Sequence, residues 1–240
     1  MTLSVTPLPL LSDNYGWVLQ SAGVAAIVDP AEAAPVIAWC EQNRVRPQKI
    51  LLTHHHADHI DGVAELLAVY GCAVVGARAD AHRLPALDQA VAEGDFVEVG
   101  DAVARVIETP GHTVGHICYY FADEAVLIAA DTLFTLGCGR VIEGSMAQMY
   151  DSLRKLAALP PETLVCSGHE YTLANLKFAL NVEPNNAALQ EQGARYQALR
   201  AEGRPTVPST IADELAANPF LRSRDAAEFE ARRLAKNDFR

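Results

Sequence analysis

Five short apolar runs each deliver a histidine or an aspartate at or just past their end, and that register constrains the fold more than any other feature. GVAAIVD (23–29) ends at Asp29, and KILLT (49–53) runs into His54. ARVIET (104–109) is followed by Pro-Gly and His112, AVLIAAD (125–131) ends at Asp131, and TLVCSGH (163–169) ends at His169. Runs of this length, rich in β-branched residues, read as buried strands. CAVVGA (72–77) and HICYYF (116–121) are two more. Strand ends and the loops after them are where sheet scaffolds build sites. Scattered surface histidines would not keep step with the strands.

Helical patterns separate some of these runs. IDGVAELLAVYG places Ile60, Val63, Leu67 and Tyr70 at helical spacing, with Gly71 as a C-terminal stop. QMYDSLRKLAALP (148–160) is a second amphipathic helix, closed by prolines. Strands mixed with helices predict a layered α/β architecture. The texture changes from about residue 172. TLANLKFALN, NNAALQEQGARYQALRAEG, STIADELAAN and DAAEFEARRLAKNDF all read as helices, with no strand run among them. Thr210 with Asp213, following Pro208, forms a capping signal. The expected division is a strand-bearing α/β domain over 1–170 and a helical domain over 171–240.

Composition narrows the function classes. The chain has 240 residues, half of them apolar, so one large core or a core with a smaller partner domain is expected. A net charge of −11 argues against a protein that tracks nucleic-acid phosphates. No apolar run reaches the roughly 18–20 residues that span a bilayer, and the N-terminal stretch has no signal-peptide pattern. The five cysteines are scattered, without a C-x-x-C pair, which fits a reduced, cytoplasmic compartment. No exposed apolar repeat suggests an interface, so the expected state is a monomer, with no nucleic-acid or membrane partner.

The segment THHHADH (53–59) holds four of the eight histidines. Alternate positions in an extended loop point the same way, so His54 and His56 can face one metal while His55 points elsewhere. Asp58 and His59, at the turn into the next helix, can face a second ion. His112 can complete the first set, His169 the second, and Asp131 can bridge. Such nitrogen-rich sets with carboxylate oxygen suit zinc first, or iron or manganese, rather than calcium. A bound metal lowers the pKa of its water to about 7, which supplies hydroxide at neutral pH. Asp58 is the candidate for orienting that water. The bland alternative, a hydrogen-bonded side chain, is the better reading for His82. His116 is read as packing, Asp29 equally as support for a ligand histidine or as a turn residue, and Cys118, Cys138 and Cys166 as core.

THHHADH (53–59), TPGHTVGH (109–116), AADTLF (130–135) and SGHEYT (167–172) together resemble the metallo-β-lactamase superfamily. GCGR (137–140), NPFLR (218–222) and RRLAKNDF (232–239) resemble its hydroxyacylglutathione hydrolase (glyoxalase II) branch. The resemblance implies an αββα sandwich with a C-terminal all-helical domain. It implies two divalent ions, the first on His54, His56 and His112, the second on Asp58, His59 and His169, with Asp131 bridging. It also implies hydrolysis of a glutathione thioester, S-D-lactoylglutathione, by a metal-bridging hydroxide.

Arg140, Tyr171, Arg233 and Lys236 would then hold glutathione, whose two carboxylates suit Arg and Lys. Six basic and four acidic residues between Arg222 and Arg240 make that stretch positive within an acidic chain. One position departs from the family pattern. Ile142 stands where relatives carry an aromatic, often tyrosine, and isoleucine donates no hydrogen bond. The rival readings are a mononuclear iron persulfide dioxygenase on the same scaffold, a lactonase or nuclease, and a non-catalytic module. The helical tail opposes the first, GCGR and the acidic charge the second, and the complete ligand set the third.

Overall fold

The computed structural model describes residues 3–239. It divides into two compact units, Met1–Glu108 with Gly115–Glu124, and Thr109–Val114 with Ala125–Arg240.

The first unit opens with strands β1 (Ser4–Leu10), β2 (Asn14–Ser21) and β3 (Val24–Val28). Helix α1 (Ala33–Asn43), strand β4 (Lys49–Leu51), helices α2 (Ala57–Ile60) and α3 (Val63–Tyr70), and strands β5 (Ala73–Ala77) and β6 (Gln89–Val91) follow. These six strands form one sheet in sequential order, antiparallel through β3 and parallel from β3 to β6. Parallel neighbours need crossovers, which α1 and α3 supply at two of the three steps. Val36 of α1 and Val63 and Leu66 of α3 pack with Val18, Ile27, Ile50 and Leu52 in one core. Strand β1 carries Pro7 and Pro9, which lack an N–H for the ladder. It lies at the sheet edge, where proline is tolerated.

The helix expected from Ile60 to Tyr70 is broken at Asp61–Gly62. A Cβ at Gly62 would lie 2.7 Å from Pro30 O, and Gly62 N–H donates to that oxygen at 2.9 Å. The backbone after the histidine cluster is therefore pinned against the end of β3. Gly71 does terminate α3, with φ 65° and its N–H on Leu67 O. Strands β7 (Phe96–Val99), β8 (Ala102–Glu108) and β9 (Ile117–Phe121) pair antiparallel. Tyr119 of β9 donates its hydroxyl to Leu52 O at 2.9 Å, and Ile117 N–H donates to Thr53 O at 3.0 Å. These bonds tie the residues just ahead of the histidines to a second set of strands.

The second unit contains β10 (Val126–Ala130), β11 (Leu133–Phe134), β12 (Gly137–Cys138), α4 (Met146–Ala157) and β13 (Leu164–Ser167). Helices α5 (Thr172–Val182) and α6 (Ala187–Ala201), strand β14 (Ser209–Thr210), and helices α7 (Ile211–Ala217) and α8 (Ala226–Asp238) complete it. Strands β10 and β13 run parallel, and β11 and β12 form a tight hairpin. Ser145 and Gln148 close α4 with a reciprocal capping box. The capping signal at Thr210 is present, its hydroxyl accepting from Asp213 N–H at 3.0 Å. The expectation of a strand-free tail needs correcting, because Ser209–Thr210 pairs antiparallel with β13. Two residues are too few to show a period. Among the described residues no helix is long and apolar enough to cross a membrane.

Candidate metal centre

In the first unit the histidine segment is set by Asp29. The residue sits at the end of β3 with φ 47°, a left-handed conformation that Asp tolerates better than most residues. Its Oδ1 accepts from Thr53 N–H at 2.9 Å. Its Oδ2 accepts from the Thr53 hydroxyl at 2.6 Å and lies 3.1 Å from His59 Nδ1. The two readings left open for Asp29 are thus both realised, turn residue and support for a histidine.

The hydrogen bonds of Asp29 also set the protons on the rings. The single Thr53 hydroxyl proton goes to Asp29, so Thr53 Oγ1, 3.0 Å from His54 Nδ1, accepts from that nitrogen. His54 therefore keeps its lone pair on Nε2. His59 gives its Nδ1 proton to Asp29 and keeps Nε2 in the same way. Asp29, His54 and His59 each present a donor atom within 4.8 Å of the others. Asp29's oxygens already serve Thr53 and His59, which makes it a support rather than a ligand.

The alternation expected of the segment is present. His54 Nε2 and His56 Nδ1 are 3.1 Å apart, while His55 turns to Asp80 with Nδ1 3.1 Å from Oδ2. Asp58 Oδ2 lies 3.8 Å from His59 Nε2. The Asn14 amide donates to the Asp58 backbone oxygen and to Oδ2, each at 3.0 Å, and so fixes the carboxylate. Asn14 was not singled out from sequence. It is remote from the histidines along the chain, and an Asn in SDNYG reads as a turn. His116 stacks on His54, centroids 4.9 Å apart, in keeping with a packing role. His82 is exposed.

In the second unit, Asp131 Oδ2 lies 3.4 Å from His112 Nε2 and 3.4 Å from His169 Nε2. His112 Nδ1–H donates to the Arg140 backbone oxygen at 2.8 Å, which again leaves the lone pair on Nε2. A Cβ on Gly139 would lie 2.0 Å from Asp131 O, so the chain between Asp131 and Arg140 closes on itself without room for a side chain.

These residues suit a divalent transition metal. Two donors held by one tetrahedral zinc at 2.0–2.1 Å stand about 3.3 Å apart. The His54–His56, His112–Asp131 and His169–Asp131 separations of 3.1, 3.4 and 3.4 Å match that edge. Ligand histidines usually donate their other N–H to a carboxylate or carbonyl, and His59 and His112 do so.

The expected substrate contacts differ among themselves. The Arg140 side chain is exposed. Tyr171, 37% exposed, stacks on His169 with centroids 4.5 Å apart and planes within 6°. Lys236 Nζ donates to Ala174 O at 3.0 Å, and burial lowers its pKa from the ordinary lysine value. Arg233 is not an open receptor. It is 5% exposed, with Nη1 on Cys138 O at 2.9 Å and Nη2 on Asn237 Oδ1 at 3.2 Å. Ile142 is exposed. Cys118, Cys138 and Cys166 are buried, as expected of core thiols, and all five cysteines are free.

Comparison with known proteins adds two matched regions. Residues 13–169 match the sequence model of the metallo-beta-lactamase superfamily, and residues 170–239 match that of the hydroxyacylglutathione hydrolase C-terminus. The chain is 52% identical to a hydroxyacylglutathione hydrolase of Acidiphilium cryptum (strain JF-5), over 98% of this chain and 97% of the relative. It is also 52% identical to one of Rhodospirillum rubrum, over 95% and 90%. Among solved structures it is similar to ETHE1 from Myxococcus xanthus, with a TM-score of 0.72, 26% identity, and coverage of 99% and 92%.

Proposed function

The chain belongs to the metallo-β-lactamase superfamily, in the branch that carries a hydroxyacylglutathione hydrolase C-terminus, and on that premise we propose that it hydrolyses S-D-lactoylglutathione to D-lactate and glutathione. It is a metal-dependent hydrolase, and its substrate is a small-molecule thioester. The observation that carries this reading is 52% identity to a hydroxyacylglutathione hydrolase along nearly the whole of both chains. The match over 170–239 favours it over a dioxygenase or lactonase on the same scaffold.

The proposed site takes two divalent ions, zinc first. His54, His56 and His112 would hold one, Asp58, His59 and His169 the other, and Asp131 would be shared. When bound, such ions supply hydroxide at neutral pH and a positive field for a developing oxyanion. The chain's residues do the rest. Asp29, Thr53 and the Arg140 carbonyl hold protons on Nδ1 of His59, His54 and His112, so each ring offers Nε2. Asn14 holds the Asp58 carboxylate, which orients the attacking water.

Arg140, Tyr171 and Lys236 receive the glutathione portion, and Arg233 backs them from its buried position on Cys138 O. Hydrolysis breaks the carbonyl carbon–sulfur bond, and the pair of electrons leaves on sulfur. A thiol pKa of about 8.5 makes that thiolate a fair leaving group without a dedicated acid. Five free cysteines support a reducing, cytoplasmic setting, and a monomer is the proposed state.

The test is hydrolysis of S-D-lactoylglutathione by the metal-replete protein, followed as loss of thioester absorbance. Turnover abolished by a chelator is expected. A protein shown to hold two metals that leaves the thioester intact would overturn the substrate assignment and keep the metal site.

A further inference from the structure

The hairpin of β11 and β12 joins two residues of the site. It begins two residues after Asp131 and ends two before Arg140, whose carbonyl sets the His112 ring. Its two ends are tied by Gly139 N–H donating to Thr132 O at 3.2 Å, and the Thr132 hydroxyl donates to Thr109 Oγ1 at 2.9 Å. A rotation of this small ribbon would therefore move Asp131 and the Arg140 carbonyl together. Two strands of two residues each cannot hold such a ribbon by themselves.

The hairpin is held by side chains of the helical region. Glu214 Oε2, on α7, accepts from Leu136 N–H at 2.8 Å. Asn218, at the end of α7, donates from Nδ2 to Gly137 O at 2.9 Å and to Glu214 Oε2 at 2.9 Å, with Phe134 O at 3.3 Å. The Asn218 amide cannot flip, because its Oδ1 accepts from Phe220 N–H at 3.0 Å. Asn175 of α5 donates to Thr135 O at 3.1 Å, and Arg233 of α8 donates to Cys138 O at 2.9 Å. The hairpin carbonyls from Phe134 to Cys138, apart from Leu136, are thus each met by one of these side chains. Glu214 and Asn218 are fully buried, and neither belongs to the candidate metal set. Leu136 has φ 57°, which a leucine adopts only when its surroundings impose it.

We infer that Glu214 and Asn218 are positioning residues for the metal centre, acting as a polar clamp that fixes the 133–138 hairpin and, through it, Asp131 and the Nδ1–H bond of His112. The inference rests on the proposed metal site and goes beyond it, assigning the helical region a part in building the centre. It also accounts for Arg233, which braces the same hairpin instead of standing open to solvent.

Two readouts test it. One is the His112 ring in metal-free protein, observed by nitrogen-15 NMR as a protected Nδ1–H. The other is zinc affinity from chelator competition. Glu214→Leu removes the acceptor at similar volume, and Asn218→Ser removes the amide donors. Both are expected to expose or broaden the His112 Nδ1–H signal and to weaken zinc binding by about 10–100-fold. Glu214→Gln keeps an oxygen for Leu136 and Asn218 and is expected to stay within about threefold of the parent.

Leu67→Ala, which trims the separate apolar core of the first unit, controls for lost stability and should leave both readouts unchanged. If Glu214→Leu does not fold, Asn218→Ser decides alone. A folded Asn218→Ser protein with the parent's His112 signal and zinc affinity would overturn the inference. A parent protein that binds zinc yet spares the thioester would leave both readouts intact, so failure of the substrate assignment is told apart from failure of the clamp.

Discussion

Asp29 and His59, thirty positions apart in sequence, meet with Oδ2 3.1 Å from Nδ1 in the interior of the first unit. The same carboxylate holds Thr53, and Thr53 holds His54, so one residue at the end of β3 sets two rings. Asp29→Asn tolerates the left-handed backbone but loses an accepting oxygen. It should weaken zinc binding by about 10–100-fold and lower stability by about 1–3 kcal/mol, because a buried donor is left unmet. Zinc competition and urea denaturation of the metal-free protein measure the two effects. Parent values for both would remove Asp29 from the site.

Asp131 contacts His112 and His169 through a single oxygen. Asp131→Ala is expected to reduce bound metal and thioesterase activity together, read by elemental analysis beside a rate assay. An active Asp131→Ala protein with its full metal content would refute the shared-ligand role.

Gly139 has no room for a methyl group beside Asp131 O. Gly139→Ala must push the backbone apart, with a cost of about 1–3 kcal/mol. The thermal midpoint should fall, and zinc affinity should fall with it. A lower midpoint with unchanged affinity would show that the segment yields without moving Asp131.

Glu214 carries a pH signature. Burial raises its pKa to about 7, against opposing hydrogen bonds from Asn218 and Leu136 N–H. Asp213 adds to the rise, and Tyr196 and Arg195 lie in the same charge network. The folded pKa lies above the ordinary carboxylate value. The stabilising contribution is therefore complete below about pH 4.5 and is lost as pH rises to about 7. The change is on the order of 3 kcal/mol. Unfolding free energies of the parent and Glu214→Gln, compared between pH 5 and 8, should diverge in slope below pH 7 and run parallel above it. Parallel curves throughout would show that Glu214 ionises normally.

Ile142 is 57% exposed, at the position where the family resemblance leads one to expect an aromatic. Ile142→Tyr adds a hydroxyl donor without disturbing packing, so stability should change by less than about 0.5 kcal/mol. The KM for S-D-lactoylglutathione should fall several-fold while kcat holds, since the added contact lies away from the reacting bond. Unchanged KM would place the glutathione portion elsewhere.

Much of the site was legible in the sequence, and the physical reason is local. A strand of apolar β-branched residues announces itself, and a polar residue past its end has few reasons to be there. Asp29, His54, His112, Asp131 and His169 were found in this way, and the outward turn of His55 followed from alternation along an extended chain. The helices of the tail were legible from their spacing and the Thr210 cap. Strand β14 and hairpin β11–β12 were not, because two residues carry no period.

Tertiary structure alone decided which polar residues support the site. Asn14 reaches Asp58 across 44 positions, Glu214 reaches Leu136 across 78, and Arg233 reaches Cys138 across 95. A lone Asn, Glu or Arg in a helix or turn looks the same whether it faces water or a buried amide. Burial changes its meaning, since a polar group removed from water must find a partner. That is why sequence pointed to the candidate ligands, while only the fold showed Arg233 on the hairpin carbonyl and Glu214 with Asn218 behind it.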